Sequence, residues 1–307
     1  MGIPHALILP FPAQGHVIPL MELSHCLADQ GVEITFVNTE FDHGRIVAAL
    51  GKHELESDEF VMFRLEEVIR KNNEKSGGSE ITCMIVDHNM AWALEIAEKL
   101  GVRCVVFWPM CAAILALIMS APKLIDDGII DEEGFPKSQS TFQLSDGMPL
   151  METARLPWNV NAGDEAQKLI FHYMNANCRA TKKAEFILCN SFQELESPTF
   201  NYAPYVLPIG PLLMGLRLGK PFANQTYICD VWRVGLKMVP GESGIITSEH
   251  ISSRLEELLG DDGIMARART LKEMANRSME KEGSSFKNLN TFVEAMKSEN
   301  AHIKDEE

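Results

Sequence analysis

No two of the seven cysteines, at positions 26, 83, 104, 111, 178, 189 and 229, are spaced as a CxxC pair. That removes the usual zinc and dithiol frameworks, and an odd count spread along the chain reads as buried thiols in a reducing compartment, the cytoplasm. Positive charge is scarce as well. With 28 Lys and Arg against 43 Asp and Glu, the formal net charge is −15. Nucleic acids and anionic membrane surfaces are met by clustered Lys and Arg, so neither is expected as a partner and a small-molecule role is favoured. The sequence has no GxGxxG, no Walker lysine motif, no HExxH and no GxSxG. Nucleotide hydrolysis, zinc proteolysis and α/β-hydrolase chemistry therefore lack support. A secretory signal is not expected, because the opening segment lacks a basic n-region and is interrupted by His5, Gln14 and His16. Ala6 stands where N-myristoylation at Gly2 needs Ser or Thr. No internal repeat is apparent.

What is present is an ordinary globular composition, 46% hydrophobic and 23% charged over 307 residues, enough for two domains or one large one. Residues 104–121, eighteen uncharged and mainly apolar residues, reach only the lower limit for a membrane span. Pro109 divides them into a β-branched strand, Val102 to Phe107, and a buried helix, Cys111 to Met119, so no membrane span is predicted.

The apolar run His5 to Phe11 is followed by a loop and then a helix with Leu20, Leu23, Leu27 and Ala28 at spacings of three and four, closed by Gly31. Val32 to Val37 is a second strand, and strand, helix, strand at this spacing is a βαβ unit that implies parallel pairing. The pattern recurs with a strand at Ile81 to Val86, a helix from Asn89 to Leu100 and a strand at Val102 to Phe107. A further strand is expected at Phe186 to Cys189, followed by a helix opened by a capping box of Ser191 and Glu194, and "YVLPIGP" at 205–211 closes the series. Residues 134–160 read as a long loop and 211–225 as an interdomain connection. Beyond it the spacing predicts one short strand at Val234 to Met238, then three helices starting near Thr247, Gly263 and Ser285, and a frayed tail. The fold class is α/β and doubly wound over residues 1–210, with 226–307 mainly helical.

In an open parallel sheet, ligands bind beyond the carboxyl ends of the strands. His16 follows the first strand and Asp87 ends a later one. If those strands are neighbours, the carboxylate can accept a hydrogen bond from one imidazole nitrogen and leave the other as a general base. The helix N-terminus behind His16 disfavours imidazolium, which helps keep the ring neutral. The residues alone leave open a plainer reading in which His16 and Asp87 only cap their helices. His25 and His172 sit within helical patterns, and His88 should point away from Asp87. Trp92 and Trp108 could line an apolar pocket or simply be buried.

Six stretches resemble plant UDP-dependent glycosyltransferases of small molecules, in order along nearly the whole chain: "PFPAQGHVIPLMELSHCLADQGVEITFVNTEF", "MIVDHNMAWALEIAEKLGV", "CNSFQELE", "LPIGPL", "YICDVWRVGLKM" and "EGSSFKNLNTFVEAM". The loop "LSDGMPLMETARLPW" also looks like that of one subgroup. The resemblance implies a GT-B fold of two facing Rossmann-like halves, an acceptor-binding domain over 1–210 and a UDP-sugar-binding domain of which 226–307 is a remnant. It places His16 and Asp87 at the catalytic positions, with Gln14, Gly15, Asn89, Trp92 and Trp108 around the acceptor. The implied reaction uses a UDP-sugar as donor substrate, with no cofactor and no metal. The acceptor class implied is a lipophilic hydroxylated or carboxylated metabolite, such as a phenolic or terpenoid.

The sequence departs from that pattern in one large respect. The donor signature containing "HCGWNS" and an Asp-Gln pair is absent, and residues 211–225 pass almost directly into "TYICDVW". Residues 226–307 are too few for a nucleotide-binding half of on the order of 150 residues. A strand-bearing piece is also short around residues 50–60, and Pro109 stands where many family members carry a hydroxyl side chain. Two expectations follow: an enzyme whose donor site comes from elsewhere, or an inactive remnant that binds acceptor or another protein.

Overall fold

β1 (His5–Leu9) is buried along its whole length, as a central parallel strand covered on both faces must be. The structure, a computed structural model, describes residues 3–37, 65–74, 79–159, 163–212, 227–238 and 245–298. α1 (Gln14–Asp29) follows the first loop and buries Leu20, Leu23 and Leu27. It stops at Gly31, which takes φ +82° and turns the chain into β2 (Glu33–Phe36). α2 (Leu65–Glu74) precedes β3 (Cys83–Asp87), and a 3-10 turn over His88–Ala93 leads into α3 (Leu94–Lys99). β4 (Arg103–Trp108), α4 (Ala112–Met119) and α5 (Ala121–Asp126) come next. The strand and helix on either side of Pro109 fall where the sequence puts them.

Residues 134–160 are not wholly irregular, because β5 (Thr141–Phe142) and β6 (Met151–Glu152) form a small antiparallel pair. The segment is anchored at Trp158, which is fully buried and donates its indole N–H to the Gly134 carbonyl at 2.8 Å. Gly134 has φ +86°, and a Cβ there would lie 2.5 Å from the Phe171 ring, so the close approach requires glycine. α6 (Asp164–Thr181), β7 (Phe186–Cys189), α7 (Ser197–Tyr202) and β8 (Val206–Pro208) complete this part.

The six-stranded sheet is entirely parallel, in the order β2-β1-β3-β4-β7-β8. The chain leaves β1 toward β2 on one side and later returns to β3 on the other. β1 and β3 therefore flank the topological switch point, where the crevice of such sheets opens. Alternate residues of each strand enter opposite cores, as the two-residue period of a strand dictates. Leu7, Met84, Val86 and Val106 pack with α2, α3 and α4. Ala6, Ile8, Ile85, Val105 and Phe107 pack on the other face with α1.

The last segment departs from the sheet pattern. A single π-type turn spans Tyr227–Val231, followed by α8 (Ser248–Gly260), α9 (Asp262–Met279) and α10 (Ser284–Lys297). α10 returns to the sheet: Leu289, Phe292, Val293 and Met296 join the face that α1 covers. Asn288 donates to the Pro208 carbonyl at 2.7 Å.

Three local expectations are corrected. Val234 to Met238 is not a strand, because among the described residues no strand follows Pro208 to pair with it. The Ser191/Glu194 capping box opens no helix. Ser191 donates instead to buried Glu196, Glu194 accepts from Ser284, and the helix begins at Ser197. The predicted helix from Asn89 is a 3-10 turn broken at Met90 (φ −112°, ψ 19°) before α3 starts. The expected gap near residues 50–60 and most of the 211–225 connection lie outside the described residues.

Candidate active site

His16 and Asp87 meet across the switch point. His16 sits in the first turn of α1, and Asp87 is the last residue of β3. The imidazole Nδ1 lies 2.7 Å from Asp87 Oδ2. The carboxylate is completely buried, whereas the His16 side chain keeps 15% of its surface exposed. Asp87 Oδ1 accepts the Asn89 backbone N–H at 2.9 Å, so one carboxylate both caps the 3-10 turn and orients the histidine. The capping reading is thus correct for Asp87 without excluding the pairing. His16 is no cap, since Ala13 holds that position and no side chain bonds there.

This geometry fixes the tautomer. The Asp87 carboxylate can only accept at Nδ1, so in the neutral ring Nδ1–H donates to Asp87 and the lone pair lies on Nε2. The first turn of α1 has no acidic residue, so nothing there offsets the positive end of the helix dipole. Phe11 stands edge-on to the imidazole, with centroids 5.2 Å apart. Asp87 has a second histidine as chain neighbour, but His88 is directed away. Its ring packs edge-on against Trp108, and its Nε2 faces Cys178 Sγ at 3.6 Å. Burial pushes the His88 imidazole down to about 4, so it is neutral at pH 7 and does not compete with His16 for the Asp87 charge.

The other expected site residues divide. Gln14 and Gly15 are exposed on the loop-to-helix turn, Asn89 is half-buried beside Asp87, and Trp92 presents 48% of its surface at the end of the same turn. Trp108 must be corrected. It is 1% exposed and donates its indole N–H to the Cys111 carbonyl at 2.8 Å, so it forms the floor beneath His88 and offers no face to a ligand. Sequence reasoning missed Phe11, although it lies in the same loop. It also missed Tyr173 of α6, whose hydroxyl donates to the Asn89 carbonyl. No local pattern could signal a partner 84 positions away.

None of the seven cysteines is in a disulfide. Among the described residues, no group of three or more His, Cys, Asp or Glu side chains is arranged to hold a metal ion. No helix among them is long and apolar enough to cross a membrane.

No family model matches the chain. UDP-glycosyltransferase 83A1 of Arabidopsis thaliana is 29% identical over 454 residues, covering 97% of this chain and 98% of that protein. With 307 residues available, the chain must lack interior positions that this relative has. (R)-mandelonitrile beta-glucosyltransferase of Prunus dulcis is 29% identical over 252 residues, 68% of this chain and 51% of that protein. Linamarin synthase 1 of Manihot esculenta is 27% identical over 277 residues, 76% and 56% respectively. The chain thus spans about half the length of these last two relatives. Among solved structures, a Polygonum tinctorium UDP-glucosyltransferase capable of glucosylating indoxyl, in complex with 3,4-dichloroaniline, superposes with a TM-score of 0.75 at 17% identity, over 96% of this chain and 99% of that one. UGT2 of Phytolacca americana, complexed with UDP-2fluoro-glucose and pterostilbene, gives 0.69 at 14% identity over 96% and 100%. The chain has a GT-B-like α/β fold and is similar along nearly its whole length to plant UDP-dependent glycosyltransferases that have more residues than it does.

Proposed function

We propose that this chain is built for the acceptor step of an inverting glycosyl transfer from a UDP-sugar, glucose, to a hydroxyl or carboxyl of a small lipophilic plant metabolite in the cytoplasm. The observation that carries the reading is the 2.7 Å His16–Asp87 contact at the switch point of the sheet. His16 Nε2 takes the acceptor proton as the acceptor oxygen attacks the anomeric carbon. The bond from that carbon to the UDP oxygen breaks, UDP leaves with the electron pair, and the configuration inverts. Asp87 stabilises the imidazolium that forms, a role that needs a buried, oriented carboxylate. Asn89, Gln14, Gly15 and the exposed Trp92 ring are placed to meet the acceptor. The mandelonitrile and indoxyl in the names of one relative and one neighbour, and the pterostilbene held in the complex of another, support a small and largely apolar acceptor. Seven cysteines without a disulfide fit a reducing compartment.

A second reading is favoured by the sequence and by the last segment of the fold. The donor signature is absent, and no strand follows Pro208 among the described residues. Holding the donor in line is worth roughly 7–11 kcal/mol of barrier lowering, whereas general-base action alone is worth about 10²–10⁴ in rate. The chain by itself is therefore expected to bind acceptor without transferring sugar at an enzymatic rate. Purified protein would be incubated with UDP-glucose and a panel of phenolic acceptors, following UDP release and glycoside formation. The expected result is turnover below the usual range of about 1–10³ per second. Turnover within that range, abolished by His16→Ala, would establish the complete enzyme instead.

A further inference from the structure

The His16–Asp87 pair depends on a turn that its own backbone does not fix. Residues 88–93 are 3-10 rather than α-helical, and Met90 leaves helical geometry altogether. Yet this turn supplies the Asn89 N–H that holds Asp87 Oδ1 at 2.9 Å. The other end of the same residue is also held, because the Asn89 carbonyl accepts the Tyr173 hydroxyl of α6. α6 grips the turn a second time where Cys178 meets His88. Tyr173 remains 42% exposed, so burial of its ring is a poor account of its placement, whereas its hydroxyl makes a specific contact.

We propose that Tyr173 is a positioning residue for the His16–Asp87 pair. By tethering the Asn89 carbonyl it aims the Asn89 N–H at Asp87 Oδ1, and the carboxylate so fixed presents Oδ2 to His16 Nδ1. The series Tyr173 hydroxyl, Asn89 backbone (its carbonyl and, across Cα, its N–H), Asp87 carboxylate, His16 imidazole connects α6 to the base through three hydrogen bonds. The inference rests on the reading of His16 as base, but its geometry can be tested without any reaction.

The test is Tyr173→Phe, which removes a single oxygen from a half-exposed ring, with Tyr202→Phe as control because that hydroxyl bonds Ser120 at 2.9 Å away from the site. Nitrogen-15 NMR of the histidine rings reads the His16 tautomer. Loss of the tether should raise the Nε2–H fraction roughly two- to ten-fold, as expected for one net hydrogen bond. Amide exchange at Asn89 should accelerate by a similar factor, while Tyr202→Phe changes neither. A folded Tyr173→Phe protein with the parental tautomer and parental Asn89 exchange would overturn the proposal. Neither readout needs donor or acceptor, so a chain without transferase activity can still show the shift. Transferase activity unaltered by Tyr173→Phe, with an unmoved tautomer, would remove the positioning role alone.

Discussion

Replacing Phe292 by alanine is expected to destabilise the protein by about 3–5 kcal/mol, a large share of the 5–15 kcal/mol that holds a typical domain. Phe292 is fully buried, stands edge-on to Phe186 with centroids 5.4 Å apart, and lies in the same core as Ile8, Ile85 and Phe107. With Leu289, Val293 and Met296 it forms the face of α10 that covers the sheet beside α1. Truncation loses the transfer energy of the ring and leaves a cavity that the rigid sheet cannot close. Urea unfolding with Leu259→Ala as control makes the measurement, since Leu259 is 74% exposed and should cost no more than about 0.5 kcal/mol. A loss below 1 kcal/mol for Phe292→Ala would mean that α10 is not seated on the sheet.

Glu196→Ala should cost a comparable amount, on the order of 4 kcal/mol, for a different reason. Glu196 is 2% exposed, and its carboxylate accepts the backbone N–H groups of Ala112 at 2.8 Å and Ala113 at 3.0 Å together with the Ser191 hydroxyl. These two amides open α4, and the carboxylate takes the capping place that the side chain of the N-cap residue, Cys111, does not fill. Removing the carboxylate strands two buried donors, each worth about 1–3 kcal/mol when unsatisfied. Burial raises the Glu196 pKa and its hydrogen bonds lower it again in part, so the group stays costly to ionise. Glu196→Gln, which keeps one acceptor oxygen, should lose distinctly less than Glu196→Ala. Equal losses in the two variants would show that the side-chain volume, and not the acceptor, matters.

Both residues show where sequence reading reaches its limit. The βαβ units were legible because continuous apolar runs and the stops at Gly31 and Gly101 are local signals, and the strands at 5–9, 33–36, 83–87, 103–108 and 186–189 fall within a few residues of the expected ones. The capping box at Ser191 was misread because the pattern says nothing of Glu196, a better-placed acceptor two residues beyond Glu194 that serves another helix. Val234 to Met238 has strand-like residues, but a strand needs a neighbour, and only the tertiary fold decides that. The His16–Asp87 pairing was legible conditionally. The residues lie 71 positions apart, and only the placement of β1 next to β3 joins them. Trp108 and Trp92 look alike in sequence, but the former ends β4, a central strand covered on both faces, while the irregular turn after β3 leaves the latter at the surface.

The proposed function combines an acceptor site beside His16 with the absence of the donor signature from the sequence. Isothermal titration of the purified chain, with UDP-glucose in one series and a phenolic acceptor in the other, separates the two. The account predicts saturable heat with the acceptor, weakened in Trp92→Ala, and no saturable heat with UDP-glucose up to about 1 mM, the upper end of ordinary enzyme KM values. Micromolar binding of UDP-glucose to this chain alone would contradict it.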